Sequence, residues 1–130
     1  DQAKADGDDS VKKILLVEDE DPVRMFAARA LQNKGYEVLQ ADCGEAALEL
    51  VGNFDGTIDL LITDVVMPNM DGPTLVKNIT KQKPDLKIIF ISGYAEDAFG
   101  DENARIPNSV FLPKPFSLSD LTATVQDQLH

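Results

Sequence analysis

The sequence predicts an α/β domain in which five strands form one doubly wound parallel sheet, with a helix after each strand in the pattern (βα)5. Three observations predict it. Five short apolar runs recur along the 130 residues, bounded by turn residues and mostly without alternation, which suits strands buried on both faces. The intervals between them carry apolar residues at helical spacing. Strand starts near 14, 37, 60, 87 and 109 leave about 20 to 28 residues per unit, enough for a strand and a right-handed helical crossover.

The elements follow in order. Ile14 to Val17 make the first run, and Val23, Phe26, Ala27, Ala30 and Leu31 then fall on one helical stripe. Asp21 and Pro22 fit that helix's N-cap and first turn, and Gly35 fits its stop. Val38 and Leu39 sit among Glu37, Gln40 and Asp42, so the second strand is the most polar and belongs at an edge. Ala47, Leu50, Val51 and Phe54 form the next stripe. Leu60 to Ile62 precede a loop shaped by Met67, Pro68 and Met70, after which Asp71 and Gly72 cap a helix carrying Leu75, Val76 and Ile79. The segment 95–104 after Ile88 to Ile91 is interrupted by Gly100 and crowded with acids, so its helix is expected to be short or mobile. Val110 to Leu112 are the fifth run. Leu118, Leu121, Val125 and Leu129 form the last stripe, opened by Ser117 and Asp120 as a capping box.

Composition narrows the function. A formal charge of -11, from 23 acidic and 12 basic residues, argues against a phosphate-backbone binder and against contact with an anionic membrane. Cys43 is the only cysteine, which excludes an internal disulfide and a Cys-based zinc site; it reads as a small apolar residue in a reducing compartment. No apolar stretch approaches the roughly 18 residues that span a bilayer, and residues 1–12 are too polar for a signal sequence. Those twelve residues, with four aspartates, read as a flexible acidic linker ahead of one domain over 13–130. A cytoplasmic protein, monomeric as an isolated domain, is expected.

In an open parallel sheet, ligands bind beyond the carboxyl ends of the strands. The residues there are Glu18, Asp19, Glu20 and Asp21 after the first run, Asp64 after the third, Ser92 after the fourth and Lys114 after the fifth, with Asp42 a weaker candidate after the second. Crowded carboxylates raise one another's pKa unless a cation intervenes, so the group reads as a divalent-cation site. Oxygen donors without a usable Cys or His favour Mg2+ over Zn2+, with several waters retained. Lys114 adds a mobile positive charge and Ser92 a hydroxyl donor for phosphoryl oxygens, which gives a phosphoryl-transfer site with an Asp nucleophile. His130, the single histidine, is terminal and is not expected to be a phosphorylation site.

ILLVEDED, LLITDVVMPNMDG, IIFISGYA and VFLPKPF, in that order and spacing over about residues 13 to 129, resemble the receiver domain of two-component response regulators. In wording they are most similar to the receiver at the C-terminal end of hybrid histidine kinases. The resemblance implies the flavodoxin-like, CheY-like fold with strand order 2-1-3-4-5. It implies that Asp64 accepts a phosphoryl group from phosphohistidine, and that Asp19 and Asp64 bind Mg2+ with the Val66 backbone carbonyl while Glu18 acts through water. Lys114 would contact the acyl phosphate, with a cis bond to Pro115. Ser92 stands at the hydroxyl position of the family's switch and Phe111 at its aromatic partner position, although a strand aromatic can equally be a plain core residue. The implied partners are the phosphorylated-His domain of a histidine kinase, a histidine phosphotransfer protein, or both. A parent hybrid kinase would tether the domain to the inner membrane. The domain would catalyse its own phosphorylation and dephosphorylation without being an enzyme in the usual sense.

A phosphoryl group brings roughly -1.5 to -2 charge and three acceptor oxygens. Two charge-assisted hydrogen bonds, from Ser92 and Lys114, contribute about 1.5 to 3 kcal/mol each, against the roughly 5.5 kcal/mol that inverts a 1:99 equilibrium. Partial switching is therefore expected, with residues 93–106 and the last helix as the regulated face. Two other classes compete. A haloacid-dehalogenase-like phosphatase would use Asp19 and Asp21 as an Asp-x-Asp pair, followed by Ser92 and Lys114, but only Asp120 and Asp127 remain for its later acidic pair. A flavin carrier shares the sheet topology, yet the acidic loop after the first strand would repel a flavin phosphate.

Overall fold

A computed structural model describes residues 11–53, 57–83, 85–92 and 109–129, and of Ser92 it describes the backbone. The elements are β1 (Lys13–Val17), α1 (Asp21–Asn33), β2 (Glu37–Ala41), α2 (Gly44–Asn53), β3 (Leu60–Asp64), α3 (Gly72–Thr80), β4 (Lys87–Ser92), β5 (Ser109–Pro113) and α4 (Leu118–Leu129). The strands pair in parallel in the order β2-β1-β3-β4-β5. This is the expected doubly wound sheet with the polar second strand at an edge. The helix expected within 95–104, and the switch surface at 93–106, lie outside the described residues.

Alternation along the strands divides the core into two layers. Leu15, Val17, Leu61, Ile88 and Phe90 point to the face covered by α2 and α3, through Ala47, Val51, Leu75, Val76 and Ile79. Ile14, Leu16, Leu60, Ile62, Ile89 and Ile91 point to the face covered by α1 and α4, through Ala27, Ala28, Leu31, Leu121 and Val125. Both faces of β3 are buried, and its burial is continuous from Leu60 to Asp64. That is why its sequence reads as an unbroken apolar run that ends at a carboxylate.

Two details of α1 differ from the expected pattern. Asp21 lies inside the first helical turn, and Glu20 occupies the cap position without a side-chain hydrogen bond to the helix. Pro22 pre-sets the backbone of this first turn, where a missing N–H costs nothing. Phe26, expected on the buried stripe, is 45% exposed. The stripe is centred on Ala27, Ala28, Ala30 and Leu31, whose small side chains bring the helix close to the sheet and leave the bulky ring at the margin, 6.2 Å from the ring of Phe116. Leu118 of α4 is displaced in the same way, 49% exposed, while Leu121 and Val125 carry that helix's burial.

The turn residues act as read. Gly35 ends α1 at φ 96°, a left-handed conformation that side chains resist. Asp71 caps α3 by accepting a 2.9 Å hydrogen bond from the Thr74 N–H. Ser117 and Asp120 exchange the two bonds of a capping box, 3.0 Å from Asp120 N to Ser117 Oγ and 3.4 Å from Ser117 N to Asp120 Oδ2. Cys43, expected as a small apolar residue, also has a polar contact: its Sγ accepts from the Ala46 N–H at 3.4 Å at the start of α2. At the amino ends of the strands, Asp59 clamps β1 to the approach of β3. Its Oδ2 accepts from Lys13 N at 2.8 Å, and its own N–H donates to Lys13 O at 2.8 Å. On this rim Lys12, Asp59 and Lys87 meet Gln128 and Leu129 of α4 around a shallow cavity of about 400 Å3.

The contrast between the two α1 positions is testable. Leu31→Ala should cost about 2 to 5 kcal/mol of unfolding free energy, as expected for a fully buried leucine. Phe26→Ala should cost less than about 1 kcal/mol, both read from urea unfolding followed by circular dichroism.

Candidate functional site

The groups singled out at the strand ends meet because the strands are parallel and in register. Val17 of β1 pairs with Thr63, one residue before Asp64, and Asp64 pairs with Ile91, one residue before Ser92. Ser92 in turn pairs with Pro113, next to Lys114. Register alone thus brings residues about 50 positions apart to one edge.

Lys114 is the hub. Its Nζ lies 2.9 Å from Asp64 Oδ2, 3.2 Å from Glu18 Oε1 and 3.3 Å from Glu20 Oε1. Burial disfavours the ammonium, but the hydrogen bond and charge of Asp64, and then Glu18, outweigh it and hold the lysine above its usual range. The bond from Lys114 to Pro115 is cis, as the resemblance implies.

Glu18 is fully buried, and burial pushes its carboxyl from 4.5 up to about 7. A hydrogen bond from the Glu20 N–H, 3.0 Å to Oε2, works against that rise, while the Asp64 charge adds to it and Lys114 opposes it. The other oxygen, Oε1, makes an ion pair with Lys114 but has the geometry of no hydrogen bond. Such an unsatisfied buried oxygen is costly unless a cation shares it. Asp19, exposed, places an oxygen in the same group, and the donor atoms of Glu18, Asp19 and Asp64 lie within 4.8 Å of one another. An all-oxygen donor set of this kind suits a hard divalent cation. Asp42 is exposed and outside this group, and Val66 contributes an N–H to Asp64 Oδ1 at 3.4 Å. The Ser92 side chain lies outside the described residues. Phe111 is half-buried against the α2/α3 layer.

Asp64 itself is 6% exposed, and its backbone is tightly held. Thr63 Oγ1 donates to its carbonyl at 3.0 Å, and Gly72 packs so closely that a Cβ there would stand 2.2 Å from the same carbonyl oxygen. The Gly72 N–H also donates to Val65 O at 2.8 Å, tying the start of α3 to the end of β3. Arg24 fixes the acidic loop from the other side: Nη1 donates to the Glu18 carbonyl at 2.8 Å, and Nη2 pairs with Asp21 at 2.6 Å. Glu20 stands among the carboxylates expected at this edge, but its ion pair with Lys114, the close approach of Gly72 and the part played by Arg24 have no signal in the sequence. Spacing marks Gly72 only as a turn residue, since the close approach of its backbone to that of Asp64 leaves no local signal.

A family description, the response regulator receiver domain, matches residues 14–126. The chain belongs to this family. Over 117 residues the receiver is 53% identical to the sensor kinase CckA of Brucella abortus, covering 90% of this chain and 12% of that protein, so it spans a small part of that relative's length. It is 40% identical to the receiver protein CpdR of the same organism, over 92% of this chain and 98% of CpdR. Among solved structures, the receiver domain of a hybrid histidine kinase CckA superposes with a TM-score of 0.78 at 46% identity, covering 91% of this chain and 99% of that one. The chemotaxis regulator CheY4 of Vibrio cholerae gives 0.84 at 30%, with 92% and 99% covered. The regulator TrrA of Thermotoga maritima, in complex with Mg2+–BeF, gives 0.80 at 34%, with 92% and 100% covered. The phosphatase alternative finds no support: Asp21 turns to Arg24 instead of joining Asp19 in the cluster, and Asp120 serves as a helix cap.

Two outcomes check this geometry. Gly72→Ala should displace the Asp64 carbonyl and lower the urea midpoint, whereas Gly52→Ala, with open space around it, should not. Glu18 binds its proton more tightly folded than unfolded, so its contribution to stability is full below pH 4.5 and is lost as pH rises to about 7. The stability advantage of Glu18→Gln over the wild type, measured without divalent cations, should therefore grow across that window and level off above it.

Proposed function

We propose that this receiver takes a phosphoryl group onto Asp64 from a phosphohistidine and returns it to water. The observation that carries the reading is one carboxylate at the rim of β3 that shares an ammonium at 2.9 Å and lies within an all-oxygen donor group. In the transfer, an Asp64 oxygen forms a bond to phosphorus as the P–N bond breaks, with its electron pair leaving on the imidazole nitrogen. Lys114 is placed to follow the charge from the carboxylate to the phosphoryl oxygens. Asp19 and Asp64, with the Val66 carbonyl, would hold Mg2+, and Glu18 would support it through water. When bound, that ion neutralises phosphoryl oxygens and lowers repulsion among the carboxylates. Ser92 is placed by its backbone register at the same edge and would take another phosphoryl oxygen, with Phe111 following it inward.

An exposed apolar patch adjoins the site. Met25 is 58% exposed, and with Phe26 and Leu118 it forms a surface that continues past Pro22 to Lys114, Pro115 and Phe116. A contiguous patch of this kind fits the apolar stripe of a helix, which would deliver the histidine of a kinase or phosphotransfer domain beside Lys114. No helix among the described residues is long and apolar enough to cross a membrane, so any tether would be supplied by a parent chain.

Incubation with acetyl phosphate and Mg2+ should add about 80 Da to the intact mass, and Asp64→Ala should abolish the gain. Replacing both Met25 and Phe26 by Ser should slow transfer from a phosphorylated histidine protein by about fivefold or more, a loss typical of truncated interface anchors. The rate from acetyl phosphate, which needs no docked helix, should hold in the same variant.

A further inference from the structure

Glu20 has no part in the donor group of Glu18, Asp19 and Asp64, yet its Oε1 lies 3.3 Å from Lys114 Nζ. Its backbone is fixed, because the Glu20 N–H donates to Glu18 Oε2 at 3.0 Å, and its side chain is 60% exposed at the mouth of the site. Arg24, one turn into α1, is engaged by Asp21 and by the Glu18 carbonyl, and among the described residues Glu20 makes its ion pair with Lys114. Asp64 reaches the same ammonium from inside at 2.9 Å, so Lys114 is shared between an inner carboxylate that would be phosphorylated and an outer one that would not.

We propose that Glu20 is a positioning residue that holds Lys114 toward the mouth and must release it before a phosphoryl group can use that ammonium. Glu20 thereby sets the rate at which small anionic donors phosphorylate the domain. The inference rests on Asp64 being the phosphoacceptor. Two effects act in the same direction: the carboxylate occupies one of the lysine's donors, and its charge repels an approaching dianion. Both are electrostatic and act through a carboxylate 60% exposed to solvent, so both weaken as salt shortens the screening length.

The test measures phosphorylation rates of the wild-type chain, Glu20→Gln and Glu20→Asp with Mg2+ and acetyl phosphate, at low and at high ionic strength. Glu20→Gln should react about fivefold faster at low salt, as removal of one nearby charge across a high-dielectric gap predicts. The gain should shrink at high salt, and it should be smaller with phosphoramidate, a donor of lower negative charge. Glu20→Asp, which keeps the charge but is one methylene short of the Lys114 contact, should lie between the wild type and Glu20→Gln. A gain that persists unchanged at high salt would mean altered shape in place of charge and would overturn the proposal, as would equal rates for wild type and Glu20→Gln at low salt. If the wild-type chain takes up no phosphoryl group at all, the assignment of Asp64 fails first and this proposal falls with it. Urea unfolding of Glu20→Gln should match the wild type, because the Glu20 side chain makes no cap bond to α1.

Discussion

The site is organised by a shortage of positive charge. One ammonium, on Lys114, stands against the carboxylates of Glu18, Glu20 and Asp64, with Asp19 close by. Three charges of one sign cannot be neutralised by one of the other, and burial makes the deficit sharper for Glu18 than for its exposed neighbours. The protein keeps these groups together because they sit on backbone that has no freedom to separate them: the ends of three strands, locked by a register that is itself fixed by two buried faces. A cation, or a phosphoryl group with its own cation, relieves the imbalance. The site suits ligands because its own side chains leave it electrostatically incomplete.

The scaffold supplies rigidity where the chemistry needs it. β3 is the central strand and is covered on both sides, so the carboxylate at its end is anchored by the best-packed part of the molecule. The close approach of Gly72 and the hydroxyl of Thr63 hold its carbonyl, and Arg24 holds the acidic loop across from it. These supports use backbone atoms and leave the carboxylates free for ligands.

Much of this was legible in the sequence because burial has a period. Ile14 to Val17, Leu60 to Ile62 and Ile88 to Ile91 are unbroken apolar runs because both sides of the sheet are covered, and their carboxyl ends point to Glu18, Asp19, Asp64 and Ser92. Caps at Asp71 and Ser117 were legible for the same local reason. Phe26 and Leu118 were not: helical spacing places them on the apolar stripe but cannot tell its centre from its margin, which depends on how closely the small residues Ala27, Ala28 and Ala30 let the helix approach. Gly72 and Glu20 stand where the sequence places them, at a helix start and a strand end, but their contacts reach across roughly 8 and 94 positions, and sequence spacing does not show which group each meets.

The far rim has a different use. Lys12, just before β1, and Gln128 and Leu129, at the end of α4, border the same shallow cavity, at the end of the sheet opposite Glu18, Asp19, Asp64 and Lys114. The two ends of the described chain are therefore neighbours, and both face away from the reactive edge. Such an arrangement makes the domain a cassette: it can be spliced into a host polypeptide, moved between hosts, or circularly permuted by joining these ends and cutting a distant loop, with the chemistry on the opposite side undisturbed.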